Sequence, residues 1–571
     1  MLKVFTLTAV LFLIGNLLQA QTNYYVSPSG ADNASNGTLA QPWQTIQYAI
    51  DNVTSGAVVN VEAGIYHEEV YFNVSNITLK NYNNDTVVVR GTGITSQSAV
   101  IEITDHSNIT IDGIEIGDNI KLDAQGILVS GNAQNITIQN CRVHDIHFSA
   151  NVNATVNANT NAQAIIVYGT RAANAITNLK ILNNEVYNCR LGYSEGIAVN
   201  GNVDAFEISG NHVHDITNIG IDAIGFEGTC TTAAKDQARN GIIKSNVTMN
   251  CLSAYATSGG IYIDGAKNVV IENNVCSQNG YGIEIGCEHV GKSADSIIVR
   301  NNAFYNNQIA AAALGGFDYP ANSGRIKNCL FTNNTCYAND YSVSANGELY
   351  LSYSENLLIE NNILYASAQN IIVNAELSQP NIVFDYNLIY SNADSASLVF
   401  KWNGTNHTGF TNGITGTSTN AQSIWSNPQF VDANISSPDL HLQQISKGID
   451  AGNPAFVSIG NEKDMDGENR VNGIVDCGID ETYFGNNIQL VEEKNFFRLY
   501  PNPAKNYLTV ELWESDEINS YSVSNSIGQI VLQGNLAEEK KSICITSLAA
   551  GIYSLRVKTA WKMYREKFIK E

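Results

Sequence analysis

Short apolar segments with alternating polar positions recur along most of the chain. Examples are Val269-Val270-Ile271, Ile297-Ile298-Val299 and Gly260-Ile261-Tyr262-Ile263. Runs this short, rich in β-branched residues and without a helical period between them, are typical of β-strands. Only the segment from Trp43 to Asn52 has the apolar spacing of an amphipathic helix. The pattern therefore predicts an all-β chain with one helix near its start.

An asparagine followed by two mostly apolar positions marks each repeat of this pattern. The repeated asparagines are Asn184, Asn211, Asn246, Asn274, Asn302, Asn334, Asn362 and Asn387, at spacings of 27, 35, 28, 28, 32, 28 and 25 residues. Constant short strands with irregular periods predict a parallel β-helix, a solenoid whose coils differ only in loop length. The asparagines would then stack, and their amides would hydrogen-bond from coil to coil.

The residues two positions after these asparagines are expected to form one inward-facing row: Val186, Val213, Thr248, Cys276, Phe304, Cys336, Leu364 and Ile389. Cys276 and Cys336 would lie two coils apart, about 9.6 Å, which exceeds the reach of a disulfide. We therefore interpret most of the cysteines as buried thiols. Cys230 and Cys287 are the exception, because they could lie close enough to pair.

Four regions follow from the ends and the repeats. Residues 1–20 resemble a secretory signal peptide, and 21–395 are predicted to form the β-helix with an N-terminal cap. Residues 396–493 are the end of the β-helix and a linker region. Residues 494–571 carry a net charge of +3, against −27 for 21–493, and strand-like runs there predict a small C-terminal β-sandwich.

Two family resemblances support this organisation. The start, YYVSPSGADN and PWQTIQYAI, together with the repeats, resembles right-handed parallel β-helix proteins of the pectate-lyase-like superfamily. The tail, with LYPNPAKNYLTVEL and LAAGIYSLRV, resembles the C-terminal sorting domain of the type IX secretion system. The first resemblance implies the fold, which serves lyases, hydrolases, epimerases and adhesins. The second implies export across the outer membrane and an interaction with the secretion machinery.

The charge balance of the chain excludes one class of binding partner. The formal net charge is −23, so binding to nucleic acid is not expected, because affinity for phosphate comes from cationic side chains. No apolar run after residue 20 is long enough for a membrane-spanning helix, so we expect a chain that is not integral to a membrane. We also expect it to be a monomer.

Carboxylates concentrate on one outward face of three neighbouring coils. In the strands that begin with glycine, the third residues are Leu128, Ile166, Ala198, Asp222, Tyr262 and Glu284, and the fifth residues include Tyr168 and Asp264. Glu227 and Glu288 follow just beyond these strands. Asp222 to Asp264, and Asp264 to Glu284, should each be about 8 Å apart between Cα atoms.

Such a face suits two kinds of chemistry. Paired carboxylates perform general acid–base catalysis at a glycosidic bond, with Asp222, Asp264 and Glu284 as the candidates. Alternatively, oxygens of Asp222, Glu227, Asp264 and Glu288 could ligate Ca²⁺. A solvated acidic face without function is the third interpretation.

Two loops complete the candidate site. The insertion 228–239 brings Lys235 and Arg239 beside the acidic strands, and either could be the base of a β-elimination. The loop 311–320 ends in Phe317 and Tyr319, which could form a sugar subsite together with Tyr168 and Tyr262. His144 and His214 are interpreted as stacked members of a ladder rather than catalytic bases.

These observations predict a secreted or cell-surface enzyme that cleaves a polysaccharide. A Ca²⁺-assisted lyase acting on a uronic-acid polymer is favoured over a glycoside hydrolase that uses the paired carboxylates. A non-catalytic adhesin or glycan-binding β-helix is the alternative from a different class of protein.

Overall fold

The structure is a computed structural model that describes residues 22–93, 98–316, 318–417, 421–483, 497–512, 518–525, 529–535, 542–559 and 563–571. The predicted signal peptide and the predicted domain boundary lie outside the described residues. The chain forms two compact units. The first reaches Asn427 and includes 451–453 and 477–479, and the second contains 428–450, 454–476 and the residues from Asp480 onward.

The first unit is a β-helix of three 13-stranded sheets, visited in turn by each coil. Its neighbouring strands are parallel, except for one antiparallel pair at the end of the third sheet. The first sheet contains Thr22–Val26, Ala57–Val61, Ile77–Asn81, Ile109–Asp112, Ile136–Gln139, Ile176–Leu182, Val203–Ser209, Arg239–Lys244, Lys267–Glu272, Ser293–Arg300, Arg325–Thr332, Ser354–Glu360 and Ile382–Asp385.

The second sheet contains Gly64–His67, Val87–Arg90, Glu115–Ile120, Arg142–His147, Glu185–Cys189, His212–Thr217, Val247–Leu252, Val275–Ser277, Ala303–Tyr305, Thr335–Tyr337, Ile363–Tyr365, Leu388–Tyr390 and Ile424–Trp425. The third contains Val70–Tyr71, Ala99–Thr104, Ala124–Ser130, Ala162–Gly169, Glu195–Gly201, Ile219–Ile224, Gly259–Asp264, Tyr281–Gly286, Ala310–Leu314, Leu349–Leu351, Ile371–Ala375, Val399–Trp402 and Thr405–Thr408. The coils thus continue to Trp425, beyond residue 395.

The predicted N-terminal cap is present. The strand Thr22–Val26 leads to the helix Ile46–Asn52, where the Thr45 side chain caps the helix by accepting a hydrogen bond from the Tyr48 backbone N–H. The helix buries Ile46, Ala49 and Ile50 against the start of the core. Two further short helices, Ser395–Ser397 and Phe410–Thr417, lie near the other end of the unit.

The predicted inward row is confirmed by the strand register of the second sheet. Val186, Val213, Thr248, Cys276, Phe304, Cys336, Leu364 and Ile389 pair in succession, and each is fully buried. All ten cysteines are free thiols, and nine of them are buried. Cys230 and Cys287 therefore do not form the disulfide that the sequence left open.

The predicted asparagine ladder is also present. From Asn184 to Asn387, each Oδ1 after the first accepts both the backbone and the side-chain N–H of the preceding ladder asparagine, at 2.8–3.2 Å. A second ladder runs Asn279, Asn307 and Asn339 and ends on the buried carboxylate of Glu348. These bonds hold the coils in register.

The second unit contains the hairpin Phe430–Asp432 and Asp439–Leu442 and two small antiparallel sheets. The sheets consist of Phe497–Tyr500, Tyr507–Leu512 and Ser542–Cys544, and of Ile518–Ser524, Ile530–Gly534, Gly551–Thr559 and Met563–Lys570. Leu508 and Val510 from the first sheet share a core with Val523, Leu555 and Val557 from the second. This confirms the predicted C-terminal β-sandwich.

The ladder predicts a position-specific stability effect. Asn246 is fully buried, and its amide accepts from Asn211 and donates to the Ile208 carbonyl and to Asn274. Asn246→Ala leaves several buried groups without partners, each costing about 1–3 kcal/mol. We expect the free energy of unfolding, measured by urea denaturation, to fall by about 3 kcal/mol or more.

Asn268→Gly is the matched control. Asn268 is exposed, donates one hydrogen bond to Asn240 and has φ of 52°, which glycine adopts freely. This variant should lose less than about 1 kcal/mol. Equal losses in the two variants would show that the buried ladder has no special role.

Candidate functional site

Outward-facing residues of successive coils form one row across the third sheet. The strand pairing places Ala198 beside Asp222, Asp222 beside Tyr262, and Tyr262 beside Glu284. Ile166 and Leu128 continue the row on the earlier coils, so the register is the one expected from the sequence. The alternate residues of the same strands, such as Ile221, Ile261 and Ile283, are fully buried in the core. Because the core fixes each strand, the outward side chains have little freedom to separate.

Asp222 and Asp264 are buried although they face outward, with exposed fractions of 2% and 3%. Asp264 Oδ1 accepts a hydrogen bond of 2.8 Å from the Glu288 backbone N–H. Asp222 Oδ1 has no hydrogen-bond partner within the described part of the chain. An unpartnered buried carboxylate oxygen is costly, so this atom is a natural position for a proton or a bound cation.

Glu195, which the sequence analysis missed, joins the cluster from the preceding coil. Glu195 occupies the position that Gln125 and Gln163 occupy on the two earlier coils, just before the apolar strand residues. Gln163 Nε2 donates to the Tyr168 hydroxyl on the outer face, at 3.2 Å, which shows that this position reaches the row. The recurrence of Gln125, Gln163 and Glu195 just before the apolar strand residues is the sequence signal for this position, which lies outside the third and fifth strand positions.

We call Glu195, Asp222, Asp264, Glu284 and Glu288 the carboxylate cluster. Burial, reinforced by repulsion from Glu288, raises the pKa of Glu195 and of Glu284 to about 8. Burial also raises the pKa values of Asp222, Asp264 and Glu288, and neighbouring carboxylates add to each shift. None of the five forms an ion pair with a lysine or arginine in the described residues. The cluster therefore holds protons at neutral pH unless a cation replaces them.

Glu227, His289 and Lys292 form a rim beside the cluster, with an acidic, an imidazole and a basic side chain. His289 Nε2 lies 2.7 Å from Glu227 Oε1, and ligand atoms of Glu227, Asp264 and His289 lie within 4.8 Å of one another, as a metal site would require. The Lys292 ammonium lies 5.1 Å from the centre of the Phe226 ring. Phe226 is the residue before Glu227 in the chain. His289 carried no alignment signal in the sequence, and Lys292 had none that set it apart from other surface lysines.

Lys235 and Arg239, the candidate cations of the insertion, bind residues outside the carboxylate cluster. Lys235 Nζ donates to the Ala172 carbonyl at 2.7 Å, and Arg239 pairs with Asp204 at 3.1 Å and donates to Asn202. The insertion itself borders the row, because Thr229 donates to Asn200 and Gln237 donates to the Gly265 carbonyl. Thus the loop lies where the sequence indicated, while its two cations point to other partners.

The aromatic candidates differ in how much surface they offer. Tyr168 is half-buried and packs against Ile166 and Ala198. Tyr262 is 6% exposed, and its hydroxyl lies 3.5 Å from Glu288 Oε1, so little of its ring is open to a sugar. The Tyr319 ring already contacts the Arg325 guanidinium and the Tyr353 ring. Phe317 lies outside the described residues.

Family models match both units of the chain. Residues 240–435 match a right-handed β-helix region, and 498–571 match a secretion system C-terminal sorting domain. The chain is therefore a right-handed β-helix protein exported by the type IX secretion system, and it is secreted or held at the cell surface. Among the described residues, no helix is long and apolar enough to cross a membrane.

The chain belongs to the same family as the uncharacterized protein YwoF of Bacillus subtilis (strain 168). The two are 33% identical over 429 residues, which is 72% of this chain and 88% of YwoF. Solved structures with a related coil include the pectate lyase Pel9A, with 15% identity, a TM-score of 0.39, and 81% of this chain and 97% of that chain covered. The mannuronan C-5 epimerase AlgE6 A-module of Azotobacter vinelandii gives 13% identity, a TM-score of 0.42, and coverage of 67% and 95%. Similarity this low says nothing about the activity of this chain.

The cluster predicts an unusual pH dependence of stability. A carboxyl whose pKa is higher in the folded state than in the unfolded state stabilises the fold below the unfolded pKa, and this stability is lost as pH rises through the folded pKa. With a chelator present, we expect the melting temperature to fall as pH rises from about 5 to about 9. Asp222→Asn, which mimics the protonated acid, should flatten this slope.

Glu207→Gln is the control, because Glu207 lies on the first sheet, pairs with Lys244 and has a lowered pKa. Calorimetric melting curves at intervals of pH make the comparison. A slope that is the same in Asp222→Asn and in the unmodified chain would contradict the shifted pKa of Asp222.

Proposed function

We propose that this chain is a secreted enzyme that cleaves a polysaccharide containing uronic acids, with its site on the outer face of the third sheet. The observation that carries the proposal is the carboxylate cluster. Five acids from neighbouring coils are held together without a compensating lysine or arginine among the described residues. Asp222 and Asp264 are buried, Glu195 and Glu284 are half-buried, and Glu288 is exposed. Such an arrangement destabilises the protein and therefore indicates a functional role.

The cluster fits Ca²⁺. Its donors are all carboxylate oxygens, the class that Ca²⁺ prefers, and Asp222 supplies an oxygen with no partner in the described residues. Asp222, Asp264 and Glu288 of the cluster, together with Glu227 of the rim, would hold the ion. When bound, Ca²⁺ would supply positive charge that offsets the acids and attracts a uronate carboxylate, which a chain of net charge −23 would otherwise repel.

Elimination is the reaction we favour for such a substrate. A base removes the proton at C5 of the uronide, the C4–O bond to the neighbouring sugar breaks, and a C4–C5 double bond forms. The leaving oxygen takes up a proton. Lys235 and Arg239 remain candidates for the base if substrate draws them from their present partners. Lys292 is a third candidate because its ammonium lies over the ring of Phe226, the residue before Glu227.

Hydrolysis is the second candidate reaction, and one observation favours it. Glu195 and Glu284 have pKa values of about 8, so each remains protonated at neutral pH. A protonated carboxyl can donate a proton to the glycosidic oxygen while an ionised neighbour activates water. This mechanism needs no cation.

One assay separates the two reactions. The mature chain, meaning here the chain without residues 1–20, is incubated with algal and plant polysaccharides, with Ca²⁺ or with a chelator. We expect new reducing ends together with the ultraviolet absorbance of an unsaturated uronide, lost on chelation. Asp222→Asn and Asp264→Asn should each lower kcat/KM on the order of 10²-fold or more.

Glu207→Gln, a carboxylate on the first sheet, should retain activity. Reducing ends without the absorbance, insensitive to chelator and lost in Glu284→Gln, would identify hydrolysis instead. Binding of a polysaccharide without any cleavage would identify a non-catalytic glycan-binding protein. Full activity of all three acid variants on a cleaved substrate would place the site elsewhere.

The base can be found by comparing three lysine and arginine variants. If elimination is the reaction, Lys235→Ala, Arg239→Ala or Lys292→Ala should abolish cleavage while leaving substrate binding intact, because the base removes a proton rather than holding the polymer. Arg239→Ala also breaks the pair with Asp204, so its melting temperature is measured in parallel. Full cleavage by all three variants would rule out these residues as the base.

A further inference from the structure

A second group of metal-ligating side chains lies on a different face, the second sheet. Glu185 begins the strand Glu185–Cys189, and His212 and His214 lie on the next strand, His212–Thr217. The strand register places Glu185 beside His212 and Tyr187 beside His214. Histidines two apart on a strand point to the same side, so both imidazoles lie next to the glutamate on the outer surface.

The three side chains lie close enough together to be candidates for binding one ion. One ligand atom from each of Glu185, His212 and His214 lies within 4.8 Å of the other two. His214 Nε2 lies 3.5 Å from Glu185 Oε1. Tetrahedral coordination with bonds of about 2.1 Å separates ligand atoms by about 3.4 Å. The distance between Glu185 Oε1 and His214 Nε2 therefore already fits two ligands of one ion.

Neighbouring groups orient the ligands in the manner of an outer coordination shell. Asp215 Oδ2 lies 2.8 Å from His214 Nδ1, which directs Nε2 toward Glu185. Arg142 binds the other carboxylate oxygen of Glu185 at 2.8 Å and leaves Oε1 facing the histidine. The His212 and His214 rings stack with centres 4.2 Å apart, so the His212 ring would turn out of the stack for both imidazoles to bind one ion. The contacts of Asp215 and Arg142 orient His214 and Glu185 before any ion binds.

We propose that Glu185, His212 and His214 bind a divalent transition-metal ion of the Zn²⁺ class. Two imidazoles and one carboxylate suit such ions, whereas Ca²⁺ takes oxygen ligands alone. The His214 and Glu185 side chains are 15% and 35% exposed, so an ion can enter from solvent. The ion would link two adjacent coils. The site is independent of the carboxylate cluster on the third sheet.

The proposal adds a role to a residue that the sequence analysis interpreted only as a ladder member, His214. The stacking is real, because His144, Tyr187 and His214 do lie in one row. However, His212 and His214 form a His-x-His pair whose third ligand lies 27 residues earlier, and only the register brings it close.

The test uses Co²⁺ and Zn²⁺ with the mature chain carrying Cys544→Ser, which removes the exposed thiol. Excess Ca²⁺ is present to occupy oxygen-rich sites. We expect one equivalent of Co²⁺ to give a visible d–d spectrum without thiolate charge transfer, displaced by Zn²⁺. Glu185→Gln and His212→Gln should each weaken binding by roughly 100-fold.

His144→Gln is the matched control, because His144 belongs to the same stacked row but not to the ligand group; it should retain full affinity. Far-ultraviolet circular dichroism confirms that each variant is folded. Absence of stoichiometric binding, or affinity unchanged in both Glu185→Gln and His212→Gln, would overturn the proposal.

Discussion

Coil-to-coil register is the constraint on which the rest of this structure depends. Parallel strands stack about 4.8 Å apart, and the buried ladder from Asn184 to Asn387 ties each coil to the next through both the backbone and the side-chain amide. A slip of one residue would turn core side chains outward and break the ladder. Equivalent positions in successive repeats therefore lie beside one another, whatever the length of the loops between them.

Register has an electrostatic consequence on the third sheet. It brings Asp222, Tyr262 and Glu284 into one row and Asp264 beside them, while the core residues between them prevent the strands from moving apart. Desolvation and mutual repulsion then raise the pKa values of the acids. The face can lower its energy only by holding protons or a cation, and the proposed function rests on this property. On the second sheet the same register gathers Glu185, His212 and His214.

Features that repeat could be predicted from the sequence, because each repeat position has one structural environment. The asparagine ladder, the inward row through Cys276 and Phe304, and the outward row through Asp222 and Glu284 are of this kind. Features that depend on loops or on one pair of coils could not. The hydrogen bonds of Lys235 and Arg239 depend on how the insertion folds, and the Glu227–His289 contact joins two such irregular segments. Glu195 is an intermediate case. Its position repeats from coil to coil, but it precedes the third and fifth strand positions that define the outward row.

Anomalous diffraction from a crystal of the mature chain grown with a lanthanide in place of Ca²⁺ tests the central claim most directly. The account predicts a strong anomalous peak on the third sheet, within about 2.3–2.6 Å of oxygens of Asp222 and Asp264. The peak should disappear in crystals of Asp222→Asn. No peak at the carboxylate cluster, in crystals where the ion is bound elsewhere on the chain, would contradict the account.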